Sequence, residues 1–304
     1  MTDFLEQVVA ERRADVAVAR ARVSEEELLR ERVDNVWTGA RPGRPGWREV
    51  AGGFLGARAP LMHGDAFTSV LRERRSMGQL AVIAEVKRTS PALGTLAADV
   101  DPAAQARRYE LAAANAISVL TEPRHWGGSI ADLASVREAV PDLPILCKDV
   151  IVSEYQIAEA RSVGADAVLL IAEALSDDEL RRFAARAREL NMGALVEAHE
   201  PVAFGRAVAC GALVVGANAR DLRHPTNIDP GRARQLHTFV REDQIFVAES
   251  GIASVDDARL LPSRVDAVLV GTALMRTDDP APLIRALTSV RRTGAHRVTR
   301  VTVR

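Results

Sequence analysis

The sequence is poor in cysteines, long apolar runs and net charge. Its two cysteines, Cys147 and Cys210, are too few for a disulfide framework, which favours a reducing, cytoplasmic setting. No apolar run approaches the length of a membrane span and no signal peptide precedes the chain, so we expect no membrane association. The net charge of -1 is not the basic charge that is typical of nucleic-acid-binding proteins.

Several motifs that mark common enzyme classes are also absent. The six histidines are scattered without a His-x-x-x-His pair, and the cysteines are not at ligand spacing, so we predict no metal site. No Gly-x-Ser-x-Gly elbow and no Gly-x-x-x-x-Gly-Lys loop occurs. Chemistry that depends on a metal or on these motifs is therefore not expected.

Aromatic residues make up only 4% of the chain and apolar residues 47%, so the core must come mainly from Ala, Val and Leu. Eight short apolar runs from residue 81 onward have the length of strands, and helical stretches separate them. The predicted strands are 81–85, 116–121, 144–148, 167–172, 193–197, 213–218, 245–249 and 266–271. Near-continuous apolar strands that alternate with helices indicate a parallel sheet covered by helices.

Eight strand and helix units in this length predict an α/β fold of the (β/α)8 TIM-barrel type. The predicted helices between the strands include 102–114, 129–140, 154–163, 177–190 and 255–261. Ser129, Ser153 and Ser254 stand where N-caps belong, and Gly164 and Gly211 where helices should end. An open doubly wound sheet is the competing fold, but its Gly-x-Gly-x-x-Gly fingerprint does not follow the first strand.

The chain divides into three predicted parts. Residues 1–79 form an N-terminal helical extension, with a helix at 2–33, an irregular Gly/Pro/Arg-rich segment at 35–62 and a short helix at 64–76. Residues 80–292 form the catalytic barrel. Residues 293–304 form a basic tail, for which a solvated end is favoured over an anion-binding role.

The stretch at 81–91 carries the first functional signal. Side chains in a strand alternate between faces, so Glu85 and Lys87 point the same way. Two ionisable groups on one face of a buried strand must either pair or take part in chemistry. A structural ion pair between them is an open alternative.

Polar residues end five further strands. Since the active site of such a barrel lies at the carboxyl ends of its strands, these side chains should meet at one mouth. They include Lys148, Glu197, Asn218, Arg220, Ser250, Gly251, Gly271 and Thr272. Each has a structural alternative, such as a solvated Lys148, a helix-capping Glu197, or a loop held by Asn218 and Arg220. Their corresponding places in the repeat favour a joint functional role.

The turns Ser250-Gly251 and Gly271-Thr272 predict a phosphate site. Such turns present backbone N–H groups near helix starts, where barrels often bind phosphate. Lys87 or Ser90 would add a charge or a hydroxyl to the same anion. Beside this mouth, His199 is expected to play a supporting or surface role, and Cys147 is expected to point into the core.

At these residues the sequence resembles the indole-3-glycerol-phosphate synthase family of tryptophan biosynthesis. The similarity runs from about residue 81 to residue 287 through ordered motifs. They are Ile-Ala-Glu-Val-Lys at 83–87, Ser-Val-Leu-Thr-Glu at 118–122, Lys-Asp-Val-Ile at 148–151, Gly-Ala-Asp-Ala-Val-Leu-Leu-Ile at 164–171, Leu-Val-Glu-Ala-His at 195–199, Asn-Ala-Arg-Asp-Leu at 218–222, Ala-Glu-Ser-Gly-Ile at 248–252 and Leu-Val-Gly-Thr-Ala-Leu-Met at 269–275.

The resemblance implies a phosphorylated substrate, 1-(2-carboxyphenylamino)-1-deoxyribulose 5-phosphate, and its ring closure, decarboxylation and dehydration without a cofactor. It implies that Lys148 is the acid of ring closure, that Glu197 and Lys87 serve the dehydration, and that Glu85 orients the lysines. The implied substrate-binding residues are Ser90, Asn218, Arg220, Leu169, Trp126 and Val150. The implied phosphate-binding residues are Lys87, Ser250, Gly251, Gly271 and Thr272. A monomer or a weak homodimer is expected.

The sequence also departs from the family pattern. Val150 stands where the family usually has Phe, which removes aromatic surface from the expected aryl site. Residues 90–94 read Ser-Pro-Ala-Leu-Gly where the family has Ser-Pro-Ser-Lys-Gly, Trp126 replaces a common Phe, and Gly271-Thr272 replaces the usual Gly-Glu. These differences leave open a specialised paralogue with an altered aryl substrate. A sugar-phosphate isomerase or a non-catalytic phosphate-binding barrel would also fit the fold. The two-lysine, two-glutamate set argues against the isomerase, and the intact Lys148 and Glu197 argue against the non-catalytic barrel.

Overall fold

A computed structural model of the chain describes residues 3–33 and 65–292. Eight parallel strands close into a barrel, each hydrogen-bonded to the next strand along the chain, and the first pairs with the last. The strands are β1 (Ala81–Val86), β2 (Ala116–Leu120), β3 (Ile145–Lys148), β4 (Ala167–Ile171), β5 (Gly193–Ala198), β6 (Val214–Asn218), β7 (Ile245–Glu249) and β8 (Ala267–Val270). The predicted barrel is confirmed, and the doubly wound alternative is wrong because β1 pairs with β8.

Helices cover the outside of the barrel. After the extension helices come α4 (Pro102–Leu111), α5 (Ile130–Ala139), α6 (Glu154–Ser162), α7 (Asp177–Glu189), α8 (Pro201–Ala209), α9 (Arg232–Leu236), α10 (Val255–Leu260), α11 (Thr272–Met275) and α12 (Ala281–Thr288). A 3-10 turn, His237–Phe239, follows α9. The outward side chains of the strands and the inner faces of these helices form one buried apolar layer.

Local signals in the sequence account for most helix ends. Ser129, Ser153 and Ser254 each accept a backbone N–H in the first turn of their helices, as expected of N-caps. Gly164 and Gly211 adopt positive φ after α6 and α8, where most residues would be strained. Helix α4 ends earlier than predicted because Ala113 already has a φ of 66°.

The extension contributes three helices among the described residues: α1 (Phe4–Arg22), α2 (Glu25–Val33) and α3 (Ala66–Ser76). The prediction of one helix over 2–33 is wrong, because Val23 is extended and Ser24 caps a new helix. The predicted segment at 35–62 and the tail at 293–304 lie outside the described residues. Within the described residues, no helix is long and apolar enough to cross a membrane.

The extension helices lie against opposite ends of the barrel. Helix α3 packs at the amino ends of the strands, where Asp65 approaches Gly193 at the start of β5 and Arg75 donates to the carbonyl oxygen of Gln244 just before β7. Phe67 and Leu71 of α3 are fully buried in the same apolar cluster as the inward side chains of the strands. Helix α1 instead contacts loops that follow the carboxyl ends of the strands, so it borders the expected active-site mouth.

Candidate active site

Four ionisable side chains meet inside the carboxyl end of the barrel. They are Glu85, Lys148, Glu197 and Glu249, and they come from β1, β3, β5 and β7. Alternate strands supply the side-chain layers in such barrels, so these four form one polar layer. The Nζ atom of Lys148 lies 2.8 Å from Oε2 of Glu249, and 3.7 Å from carboxylate oxygens of Glu85 and Glu197.

This layer keeps Lys148 charged. Burial alone would lower the pKa of Lys148, but Glu249, Glu197 and Glu85 outweigh burial and raise that pKa above the ordinary lysine value of 10.5. Burial would likewise raise the pKa of Glu85, yet Lys87 and Lys148 hold it below its ordinary value. The amine of Lys148 is therefore held protonated by the carboxylates around it.

Glu249 was not among the predicted site residues. Its side chain is buried, and burial together with the neighbouring Glu197 raises the pKa of Glu249 well above 4.5, with Lys148 opposing this shift. The available signal was its place at the end of β7, equivalent to the ends of β1, β3 and β5. Glu249 is thus the carboxylate nearest to Lys148.

Two glycines make room for the carboxylates of this layer. A Cβ atom on Gly216 would lie 2.2 Å from Oε1 of Glu249, and a Cβ on Gly271 would lie 2.1 Å from Oε1 of Glu85. Neither contact is possible for real atoms, so a side chain at either position would displace the carboxylate. Gly271 therefore has a steric role beside Glu85, which the phosphate prediction alone did not include.

Lys87 lies next to this layer. Its Nζ atom is 2.6 Å from Oε1 of Glu85, which is the ion pair that the sequence left open as a structural alternative. Lys87 also lines the same cleft as Lys148, so the two lysines share Glu85 between them. The pairing therefore does not remove Lys87 from the site.

Asn218 links two sides of the cleft. Its Nδ2 atom is 3.3 Å from Oε2 of Glu197, while its Oδ1 atom accepts hydrogen bonds from Oγ of Ser250 at 2.8 Å and from the backbone N–H of Arg220 at 3.0 Å. The Arg220 guanidinium donates to the carbonyl oxygen of Pro225. Asn218 and Arg220 therefore hold their own loop and also face the cleft, so a structural role and a functional role are compatible.

The opposite wall contains the features expected of an anion site. Ser250 and Gly251 adopt φ values of 65° and 75° after β7. Thr272 starts α11 one residue after the end of β8, and the first N–H groups of a helix have no acceptor within that helix. Ser90 lies in a short hairpin, Thr89–Ser90 paired with Gly94–Thr95, and lines the same cleft. Backbone N–H groups and a nearby lysine suit a phosphate.

An apolar wall completes the cleft. Leu169 projects inward from β4, Val150 follows β3, and Trp126 lies in the loop after β2. The carboxylate of Glu122 accepts the backbone N–H groups of Arg124, His125 and Trp126, which fixes this loop. The Trp126 ring lies 5.9 Å from the ring of Phe4 in α1, so the extension supports the apolar wall.

All the predicted site residues line one cleft, which measures about 870 Å³ with the open space at its mouth. Two other predictions can be compared with the fold. His199 is buried behind the cleft, where Arg232 donates to its Nε2 and its Nδ1 donates to the carbonyl oxygen of Asn218. Cys147 points into the apolar layer outside the barrel. The described residues contain no cluster of His, Cys, Asp or Glu suited to a metal ion.

The barrel and its charged layer define a class: TIM-barrel proteins with a charged cleft at the carboxyl ends of the strands. The model of the indole-3-glycerol phosphate synthase family matches residues 60–287. The chain is 50% identical to the indole-3-glycerol phosphate synthase of Nocardioides sp. (strain ATCC BAA-499 / JS614), over 80% of this chain and 93% of that protein. The chain therefore belongs to the indole-3-glycerol phosphate synthase family.

Two further comparisons agree with this assignment. The indole-3-glycerol phosphate synthase of Micrococcus luteus is 45% identical over 85% of this chain and 96% of that protein. A solved structure of an Aquifex aeolicus protein superimposes with a TM-score of 0.56 and 13% identity, over 75% of this chain and all of that chain. At that identity the solved structure supports the barrel fold alone.

Proposed function

We propose that this protein closes the indole ring of 1-(2-carboxyphenylamino)-1-deoxyribulose 5-phosphate and releases CO2 and water, with the charged layer as its acid–base machinery. Its family is that of the indole-3-glycerol phosphate synthases, carboxy-lyases of tryptophan biosynthesis (EC 4.1.1.48). The observation that carries the residue assignment is the contact of Lys148 with three carboxylates, because it keeps a proton donor charged inside a partly closed cleft.

Ring closure requires an acid. The aryl carbon that bears the carboxylate attacks the substrate ketone, and Lys148 donates a proton to the oxygen as the new carbon–carbon bond forms. The surrounding carboxylates keep Lys148 protonated before the reaction and stabilise positive charge that develops on the substrate. Glu249 is the nearest of these carboxylates, 2.8 Å from the Lys148 amine.

Decarboxylation and dehydration follow. Ring closure leaves a cationic imine, which accepts the electron pair released when the bond to CO2 breaks, so no cofactor is required. The departing hydroxyl then takes a proton from an acid while a base removes a ring proton. Lys87 and Glu197 flank the cleft as the acid and base, and Glu85 orients Lys87 through its 2.6 Å contact.

The two walls of the cleft hold the two ends of the substrate. The phosphate lies against Ser250, Gly251, Gly271 and Thr272, with Lys87 or Ser90 as an added partner. The aryl ring packs on Trp126, Leu169 and Val150, while Asn218 and Arg220 orient the middle of the substrate. These assignments are supported by the shared cleft and by the polar and apolar separation of its walls.

The organisation of the whole chain belongs to the same proposal. We assign residues 1–79 to a helical extension, 80–292 to the catalytic barrel and 293–304 to a basic tail. We further propose a cytoplasmic protein that acts as a monomer or a weak homodimer on a small phosphorylated substrate, without nucleic-acid partners.

Indole fluorescence tests the proposal directly. Purified wild-type protein mixed with the carboxyphenylamino-deoxyribulose phosphate should produce growing fluorescence, and Lys148→Ala should lose at least about a hundredfold in kcat, as expected for a lost general acid. A comparable rate of fluorescence increase in both proteins would show that Lys148 is not the acid and would direct attention to Lys87. If both proteins bound the substrate but neither produced indole fluorescence, a non-catalytic phosphate-binding barrel would be favoured instead.

A further inference from the structure

A buried ion pair joins the extension to the strand that carries Lys148. Arg12 of α1 is only 8% exposed, and its guanidinium makes two parallel hydrogen bonds to Asp149. Nε lies 2.9 Å from Oδ1, and Nη2 lies 2.9 Å from Oδ2. Asp149 is the residue directly after Lys148, so the ion pair joins α1 to the end of β3.

The Asp149 carboxylate gathers further partners. Oγ1 of Thr121, just past the end of β2, donates to Oδ2 at 2.9 Å, and the backbone N–H of Val150 donates to Oδ1 at 2.7 Å. The carboxylate therefore connects α1, the end of β2 and the second residue of the loop after β3. A small movement of Asp149 would move Lys148 on one side and Val150 on the other.

The burial of this pair distinguishes it from the other charged contacts of α1. Arg13 pairs with Glu179 through a side chain that is 57% exposed, and Arg124 meets Asp15 through one that is 52% exposed. Exposed pairs of this kind contribute little to stability. A buried guanidinium instead loses its hydration and needs close, well-aligned partners, which suits a role in fixing geometry.

We propose that Arg12 is a positioning residue for Lys148 and acts through Asp149. Without Arg12, the buried Asp149 side chain keeps only the neutral donors Thr121 and the Val150 N–H, and the end of β3 loses its tie to α1. The Nζ atom of Lys148 then leaves its 2.8 Å contact with Glu249. This inference extends the proposed function, since it rests on Lys148 as the acid and assigns to the extension a part in setting its geometry.

The kinetic test compares Arg12→Met with Arg13→Met, a neighbouring change on the exposed face of the same helix. Arg12→Met should lower kcat about tenfold to a hundredfold, with KM changed less than about threefold, because misplacement of a catalytic group weakens the reaction step more than binding. Arg12→Lys should recover part of kcat, since it keeps the charge but not the paired geometry. Equal kcat in Arg12→Met and Arg13→Met would overturn the proposal.

A second pair of variants covers the case in which Arg12→Met does not fold. Thr121→Val removes one hydrogen bond to Asp149 without touching α1, and Thr121→Ser keeps that hydroxyl. Thr121→Val should lower kcat about threefold to tenfold, a loss in the range of one hydrogen bond to a charged group, and Thr121→Ser should restore it. A Thr121→Val protein with wild-type kcat would count against the Asp149 linkage.

A readout that does not depend on turnover separates this proposal from the proposed function. Brief treatment with acetic anhydride followed by mass spectrometry measures how readily the Lys148 amine reacts. We expect Lys148 to be labelled several-fold faster in Arg12→Met than in wild type or Arg13→Met, because the amine leaves its carboxylate partners. Unchanged labelling would refute the positioning role, whereas a wild-type protein without synthase activity would refute only the proposed reaction.

Discussion

Replacing Gly216 by alanine would drive a methyl group into the carboxylate that holds Lys148. Gly216 has no positive φ, so the strand backbone itself accepts alanine. The new Cβ would lie 2.2 Å from Oε1 of Glu249. The carboxylate would have to retreat by at least about 1.2 Å to reach an ordinary van der Waals distance, which is enough to break its short contact with the Lys148 amine.

The expected magnitude follows from this collision. Overpacking a buried site costs about 1–3 kcal/mol, so urea denaturation should show a loss of that size in the free energy of unfolding. The displaced Glu249 should lower kcat by about tenfold or more, measured by indole fluorescence. The matched control is Gly205→Ala in α8, where a Cβ would meet nothing within 4 Å. We expect it to keep full activity and to gain up to about 1 kcal/mol from helix propensity.

A double variant identifies the clashing group. In a Glu249→Ala background the added methyl group keeps only milder contacts, 3.2 Å from Cδ1 of Leu195 and 3.4 Å from Cβ of Glu197, so Gly216→Ala should then cost clearly less stability than in the wild type. A cost as large as in the wild type would refute the reasoning, because the methyl group would then be meeting something other than the Glu249 carboxylate.

Two further changes examine the walls and the charges of the site. Val150→Phe adds aromatic surface to the apolar wall and should lower KM for the standard substrate about twofold to tenfold in steady-state assays, as one aromatic contact predicts; a raised KM would favour an altered aryl substrate. Glu85→Gln removes a carboxylate that raises the pKa of Lys148, so the protonated amine is lost at lower pH. In its kcat/KM profile, the fall in activity on the alkaline side should therefore occur at lower pH than in the wild type. If the pH of that fall did not change, the titration would not belong to Lys148.

The strands were the most predictable part of the fold. All eight observed strands end within one residue of their predicted ends, and β7 matches its predicted range. Buried parallel strands are almost continuously apolar, so each stands out between polar and glycine-containing turns. The break between α1 and α2 was missed because it depends on one extended residue, Val23, within a charged stretch that looks helical on both sides.

The candidate site was predictable only where a polar residue stands at the end of an apolar strand. Lys148 and Glu197 interrupt apolar runs, so the sequence marks them directly. Glu249 carries the same mark, but its importance depends on which strands face each other across the barrel. Nothing in the sequence distinguishes Arg12, because α1 contains several arginines and its partner Asp149 lies 137 residues away along the chain.

The charged layer also has a consequence for how the protein becomes active during folding. Lys148 on β3 touches carboxylates on β1, β5 and β7, which are spread along the chain from Glu85 to Glu249. No half of the barrel contains all four side chains, and the contact between β1 and β8 closes the ring around them. On the proposed mechanism, we therefore expect proton-donating chemistry to begin only after these distant parts of the sequence have met, so the return of activity should mark a late topological step of folding rather than the formation of any local element.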